Sequence, residues 1–205
     1  MQKKIVVHMY LKNGKAVTGF DGKELLEDGD VMSIAQHYSN NGADELLIFD
    51  LSDDDADHEQ SLNLIRQISR VIDIPMSGGG HIKNLEDVKK LLYAGCQQVF
   101  LNYAKAANIE LTEEVSKRFG KEKIAICTDS FAQLQANKAR VNEYTSRVIL
   151  LCDEVDVRTT ARLVEVPVLP VSTRADRHGL LKLLMLDNIC GVCGDTFPDL
   201  NEDLM

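Results

Sequence analysis

The sequence predicts an α/β fold, a TIM-type (β/α)₈ barrel with a shortened second half, spanning residues 1–205 as one domain. Three observations carry this expectation. Eight short apolar runs recur along the chain, each followed by a stretch with helical spacing, which reads as repeated strand–helix units and a parallel sheet. Hydrophobic residues make up 44% of the chain but aromatics only 5%, with no Trp, so the core is aliphatic, as in parallel sheets buried on both faces. No Pro-, Gly- or Ser-rich linker interrupts the pattern. An open doubly wound sheet fits the same alternation, but eight regular units without an obvious edge strand favour closure.

The expected strands are KIVVHMY (4–10), ELLIFDL (45–51), IPMSG (74–78), QVFLN (98–102), KIAICTD (123–129), RVILLCD (147–153), VPVLPVS (166–172) and ICGVCGD (189–195). Between them, a helix after Asp30 puts Ile34, Ala35 and Tyr38 on one face and stops at Asn40-Asn41-Gly42. A second helix, 58–71, buries Leu62, Ile65, Ile68 and Val71. Asn84 caps a third, whose Val88, Leu91 and Leu92 face inward until Gly95. Thr112, Glu113 and Glu114 read as the start of a fourth, ending at Gly120. Short helices at about 130–143, 155–163 and 175–186 complete the leaner second half.

The net charge of −9 disfavours nucleic acid and anionic membrane surfaces as partners, although a local nest of N–H groups can still bind a small anion. No apolar run reaches membrane-spanning length, and MQKKIVVHMY has no signal-peptide pattern, so a cytoplasmic protein is expected. Five scattered cysteines, an odd number, suit reduced thiols. Cys190-Gly-Val-Cys193 lacks a partner pair, and residues three apart on a strand face opposite ways, so no metal site is expected there. The acidic run from Asp53 to Glu59 has His58 where a calcium loop needs glycine, and reads as negative charge before a helix. No cofactor is expected.

The strand ends form a recognisable series: YLKNGKAVTGF (10–20), GADELLIFDLS ending at Ser52, GGGHI (78–82), DVKKLLYAGCQQVFLN (87–102) and RFGKEKIAICTD (118–129). Together they resemble the histidine-biosynthesis (HisA/HisF) barrel family, nearest the cyclase subunit of imidazole glycerol phosphate synthase. The resemblance covers residues 4–129. It implies a phosphoribosyl-type ligand bearing phosphate, and a lyase or isomerase reaction driven by two aspartates ending the first and fifth strands. It also implies histidine-pathway modules or subunits as partners. Similar barrels precede phosphoribosyl-AMP cyclohydrolase and phosphoribosyl-ATP pyrophosphohydrolase modules, and the ending FPDLNEDLM suits either a terminus or the approach to one.

Carried onto this chain, the resemblance makes Asp129 the fifth-strand acid, while Tyr10 stands at the first-strand position. An unperturbed phenol titrates near ~10 against ~4 for a carboxylate, so it does not replace a general base. The family's lysine becomes Thr18. Asp50, closing the second strand and matching a family aspartate, reads as an inward acid at the binding face or as a helix cap. Phosphate contacts are expected at Gly79, Gly80 and His81, where His81 replaces a glycine, and at Asn102 and Tyr103. Across the mouth, CDEVDVRTTA and VSTRADRHG lack the family's glycine turns, leaving Thr173, with Arg174 beside it, as the candidate. His8, with the parity of Tyr10, is expected inside the barrel beside it. The expected outcome is a kept fold with the ring-forming reaction lost or weakened, or else a working enzyme using Asp129.

Overall fold

In the computed structural model the described residues are 2–26, 30–152, 156–172 and 177–194. Eight strands run parallel around a closed ring: β1 (Lys4–Lys12), β4 (Glu45–Asp50), β5 (Met76–Gly79), β6 (Gln98–Asn102), β7 (Ile124–Thr128), β8 (Arg147–Leu151), β9 (Val168–Val171) and β10 (Gly191–Cys193). The ring shuts where β10 pairs with β1, Lys4 opposite Gly191 and Val6 opposite Cys193. That pairing removes both edges of the sheet and excludes the open doubly wound alternative.

Helices α1 (Val31–Asn40), α2 (Asp55–Ile68), α3 (Leu85–Tyr93), α4 (Ala106–Phe119), α5 (Phe131–Ala136), α6 (Lys138–Tyr144), α7 (Val157–Leu163) and α8 (Arg177–Leu183) alternate with the strands. Side chains that accept from first-turn N–H groups fix several starts: Asp30 for α1, Asp54 for α2, Ser130 for α5 and Asp156 for α7. At α3, Asn84 and Asp87 form a reciprocal capping box.

Several boundaries differ from the sequence expectation. The second helix begins at Asp55, because Asp54 caps it, and ends at Ile68, leaving Val71 40% exposed. The fourth begins at Ala106, not at Thr112, which is buried in mid-helix and donates to the Asn108 carbonyl. The segment 130–143 is two helices broken at Asn137. An unforeseen hairpin follows β1: β2 (Lys15–Thr18) pairs back on β1, and β3 (Glu24–Leu25) pairs on β2. Asn13 and Gly14, at φ 50° and 69°, make the turn.

Strand alternation divides the apolar side chains into two cores. Outward residues such as Val7, Leu46, Ile48, Leu101, Ile126 and Val148 pack under the helices. Inward residues such as Val6, Leu47, Phe100, Ala125, Ile149, Leu169 and Cys193 fill the barrel. His8 lies inside as expected, 4.9 Å from Tyr10 between ring centroids and with Nδ1 3.5 Å from Cys193 Sγ. None of the five cysteines is in a disulfide. Among the described residues, no helix is long and apolar enough to cross a membrane.

An ion network closes the N-terminal end of the barrel. The Arg147 guanidinium forks onto both oxygens of Glu45, and it also donates to Gln98 Oε1 (2.6 Å) and Ser77 Oγ (2.9 Å). Lys4 adds a contact to Glu45 at 3.3 Å. Five strands are thereby joined by one carboxylate and one guanidinium. Burial alone would raise the Glu45 carboxyl, but Arg147 outweighs it and holds it below the usual carboxylate range. Glu45→Ala strands Arg147 in a nearly closed site, with an expected loss of ~3–5 kcal/mol in urea unfolding. Because the folded-state value is depressed, the wild-type contribution is complete above about pH 5 and disappears as pH falls through the folded value. A urea series against pH should show that acid-side slope flattened in Glu45→Gln.

Candidate functional site

The C-terminal ends of the barrel strands open onto a cavity of ≈ 540 Å³. Its floor is aromatic, with Phe49 and Phe100 5.0 Å apart, and Phe20 from the β2–β3 hairpin stands 5.1 Å from Phe49. Its rim carries Lys12, Asp53, Gly79, Gly80, His81, Asn102, Lys105 and Asp129. An apolar floor with convergent polar groups on the rim is the usual form of a small-molecule site.

Asp129 is exposed on this rim, one residue past β7. The cap of α5 is Ser130, which accepts from Gln133 N, so Asp129 is free of that structural duty. Beside it, burial first and Asp129 second push the Cys127 thiol up to about 12, which keeps it protonated and a poor nucleophile.

The side chains of the two other residues expected here, Tyr10 and Asp50, are not open at the mouth. Tyr10 is not at the rim, because β1 continues to Lys12 and the hairpin folds over it. Its ring is 3% exposed, 4.8 Å from Phe20 and 5.3 Å from Phe49. Asp50 does not point inward. Leu47 and Phe49 fill the barrel, so alternation sends Asp50 outward toward α2. There Oδ2 lies 2.5 Å from His58 Nδ1, while Oδ1 accepts from Ser52 N at 3.0 Å and from the Ser52 hydroxyl. Asp50 therefore borders the cavity, but its carboxylate is engaged behind it by His58 and Ser52, and it does not cap α2.

The expected phosphate-binding residues separate into two groups. Gly79, Gly80, His81 and Asn102 all line the cavity. Gly79 makes room for Phe100, since a Cβ there would stand 2.3 Å from its ring. Gly80, at φ 110°, lies so close to β4 that a Cβ would meet the Asp50 carbonyl at 2.0 Å. Tyr103 leaves the set: it shares the outward parity of Leu101, is fully buried, and its hydroxyl meets Thr112 Oγ1 at 2.9 Å. Its N–H is also taken, by the Cys127 carbonyl at 2.9 Å. Thr173 lies outside the described residues.

A family model described as histidine biosynthesis protein matches residues 4–187. The chain belongs to the histidine biosynthesis protein family. It is 33% identical over 130 residues to the imidazole glycerol phosphate synthase subunit HisF of Flavobacterium psychrophilum, covering 63% of this chain and 52% of that protein. The same-named protein of Haemophilus influenzae is 32% identical over 162 residues, covering 78% and 60%. That of Helicobacter hepaticus is 34% identical over 132 residues, covering 63% and 51%. The chain thus spans about half the length of the first of these relatives.

Within this family frame, three features of the site were not foreseen. The N-terminus of α4 opens beside Asn102 and Ala104 with Lys105 at the cap, no side-chain cap and no acid in its first turn. The positive end of its dipole favours an anion. The missing Ser, Thr, Asp or Asn before Ala106 is the signal that could have found it. Lys12, 3.0 Å from Asp53, brings a second cation to the rim. His81 stacks on His58 at 4.7 Å, a contact with no sequence signature because it joins different elements. The close approach at Gly80 gives a direct check. Gly80→Ala adds both a clash and a disfavoured φ, with an expected destabilisation above about 2 kcal/mol in chemical denaturation.

Proposed function

We propose that this barrel binds a phosphorylated small molecule of phosphoribosyl type at its mouth, with the family's ring-forming reaction lost or much weakened. In this reading it serves as a ligand-binding or scaffold domain of a histidine-pathway protein. The observation that carries the reading is the burial of Tyr10. Acid–base chemistry across a barrel mouth needs two titratable groups facing the ligand, and opposite Asp129 the position is a phenol sealed under Phe20 and Phe49. Losing one general acid–base group costs about 10²–10⁴ in rate.

Binding is supported separately. The Gly79–Gly80–His81 turn, Asn102 and the uncapped start of α4 line one side of the same cavity, with Lys105 beside them. That is the arrangement a phosphate prefers: main-chain N–H groups, a helix N-terminus and a nearby ammonium. The phenyl floor suits a flat heterocycle attached to the phosphorylated sugar. The relatives' shared name calls each a synthase subunit, and assembly with other histidine-pathway subunits or modules is part of this proposal.

A second reading rests on Asp129, which is exposed, inward in register and free of capping. In it the chain is a lyase or isomerase on a phosphoribosyl aminoimidazole substrate. The purified chain, titrated calorimetrically with inorganic phosphate and a phosphoribosyl nucleotide, should release heat and gain thermal stability. Ammonia-dependent cyclase and isomerase assays should stay silent. Turnover that disappears in Asp129→Asn would establish the enzyme reading, and no heat with either ligand would leave a purely structural barrel.

A further inference from the structure

Two imidazoles lie face to face beside the glycine turn, one from the second turn of α2 and one from the loop after β5. The His58 and His81 rings are 4.7 Å apart between centroids and 24° from parallel. Both are nearly closed to solvent, with side chains 3% and 8% exposed. Their hydrogen-bond surroundings differ in a way that fixes where a proton can sit.

Both polar neighbours of the His81 ring are acceptors. Nδ1 lies 3.1 Å from the Ser52 carbonyl oxygen and Nε2 lies 2.7 Å from Asp55 Oδ1. A carbonyl only accepts. Asp55 is also held ionised, since hydrogen bonds from His81 and Lys83 bring its carboxyl down to about 2. Both bonds form together only if both ring nitrogens carry hydrogen. His58 is the opposite case. Its Nδ1 meets Asp50 Oδ2 at 2.5 Å, while Nε2 is buried with no partner. One proton on Nδ1 satisfies it, and a second would bury a lone N–H and stack cation on cation.

We propose that His81 carries the second proton and that the resulting imidazolium clamps the Gly79–Gly80–His81 turn onto the β4–α2 loop, making the anion grip of the mouth proton-linked. The clamp has something to hold. His81 stands at φ 52°, in the left-handed region that a non-glycine residue avoids, and its ring bonds on Ser52 and Asp55 keep it there. When the second proton leaves, one of the two bonds goes with it, and the backbone at 80–81 is released. The charged groups around the pair suit a cation: Asp50, Asp53, Asp54, Asp55, Asp57 and Glu59 on the β4–α2 side, with Lys83, Lys90, Glu86 and Asp87 on the α3 side and Lys12 on β1. The clamp is therefore complete at lower pH and loosens as pH rises. His81 is a positioning residue here, and the effect on ligand grip rests on the phosphate-site reading above.

Ring ¹⁵N and backbone amide spectra of the intact chain, recorded from about pH 5.5 to about pH 8.5, test this directly. At the acidic end both His81 ring nitrogens should carry hydrogen, and the amides of residues 79–83 should move with the ring as it loses one. In His81→Gly those amides should hold still, because glycine takes the left-handed conformation without a clamp. Asp55→Asn, a surface change, removes the carboxylate that faces Nε2 and should weaken the response of those amides to pH. Sulfate, an anion of fixed charge over this range, should bind the wild type about tenfold more weakly at the alkaline end and His81→Gly equally at both ends. A His81 ring with a single proton throughout, or loop amides that follow pH unchanged in His81→Gly, would overturn the proposal. Absence of sulfate binding at every pH, with the ring and amide signature present, would support the clamp and overturn the phosphate-site reading instead.

Discussion

Closure of β10 onto β1 is the constraint on which the chemistry of this protein depends. In an open sheet either face of a strand can meet a ligand. In a closed ring only alternate residues point inside, and a shift of one residue moves a side chain from the ligand to the helices. Tyr10, Phe49, Phe100 and Cys127 fall on the inner parity, and Asp50 and Tyr103 fall on the outer one. The Arg147–Glu45 pair holds the same ring at its opposite end, where five strands meet two ionised groups.

That parity gives the mouth its character. With His8 and Tyr10 below and Phe20, Phe49 and Phe100 around them, the interior under the cavity is a continuous stack of rings. Charge is confined to the rim, where Asp53, Asp129 and two lysines stand over an apolar floor. Of the two acids on that rim, Asp53 pairs with Lys12 at 3.0 Å, and Asp129 is left free of helix capping. The glycine turn after β5 and the β4–α2 loop are pinned from behind by Asp50, His58, His81 and Asp55, so groups on the outward face of the strands shape the mouth as well.

Much of the architecture was legible in the sequence because each strand is a compact apolar run and each helix start has its own side-chain signal. Asp30, Asn84 and Gly95 mark boundaries that hold in the structure. Where a signal was absent or ambiguous, the expectation drifted. Thr112 with two glutamates reads as a helix start, but α4 begins six residues earlier at Ala106, behind a Lys105 that makes no side-chain cap. The β2–β3 hairpin escaped because β1 runs on past Tyr10 with no break in its pattern, and this is also why Tyr10 looked like a rim residue. Asp50 was misplaced for a different reason. A strand-ending aspartate looks the same in sequence whether it points in or out, and one residue of register decides the matter. The His58–His81 stack joins residues 23 apart on different elements, and no local pattern announces such a contact.

The central claim is that Asp129 faces the ligand across a mouth whose opposite side is a sealed phenol. A crystal structure of the chain grown with inorganic phosphate measures this most directly. It should show the anion between the Gly80 turn and the first turn of α4, Asp129 open to the same cavity, and the Tyr10 ring enclosed by Phe20 and Phe49. A Tyr10 hydroxyl reaching the anion, or an Asp50 carboxylate turned into the barrel, would contradict it.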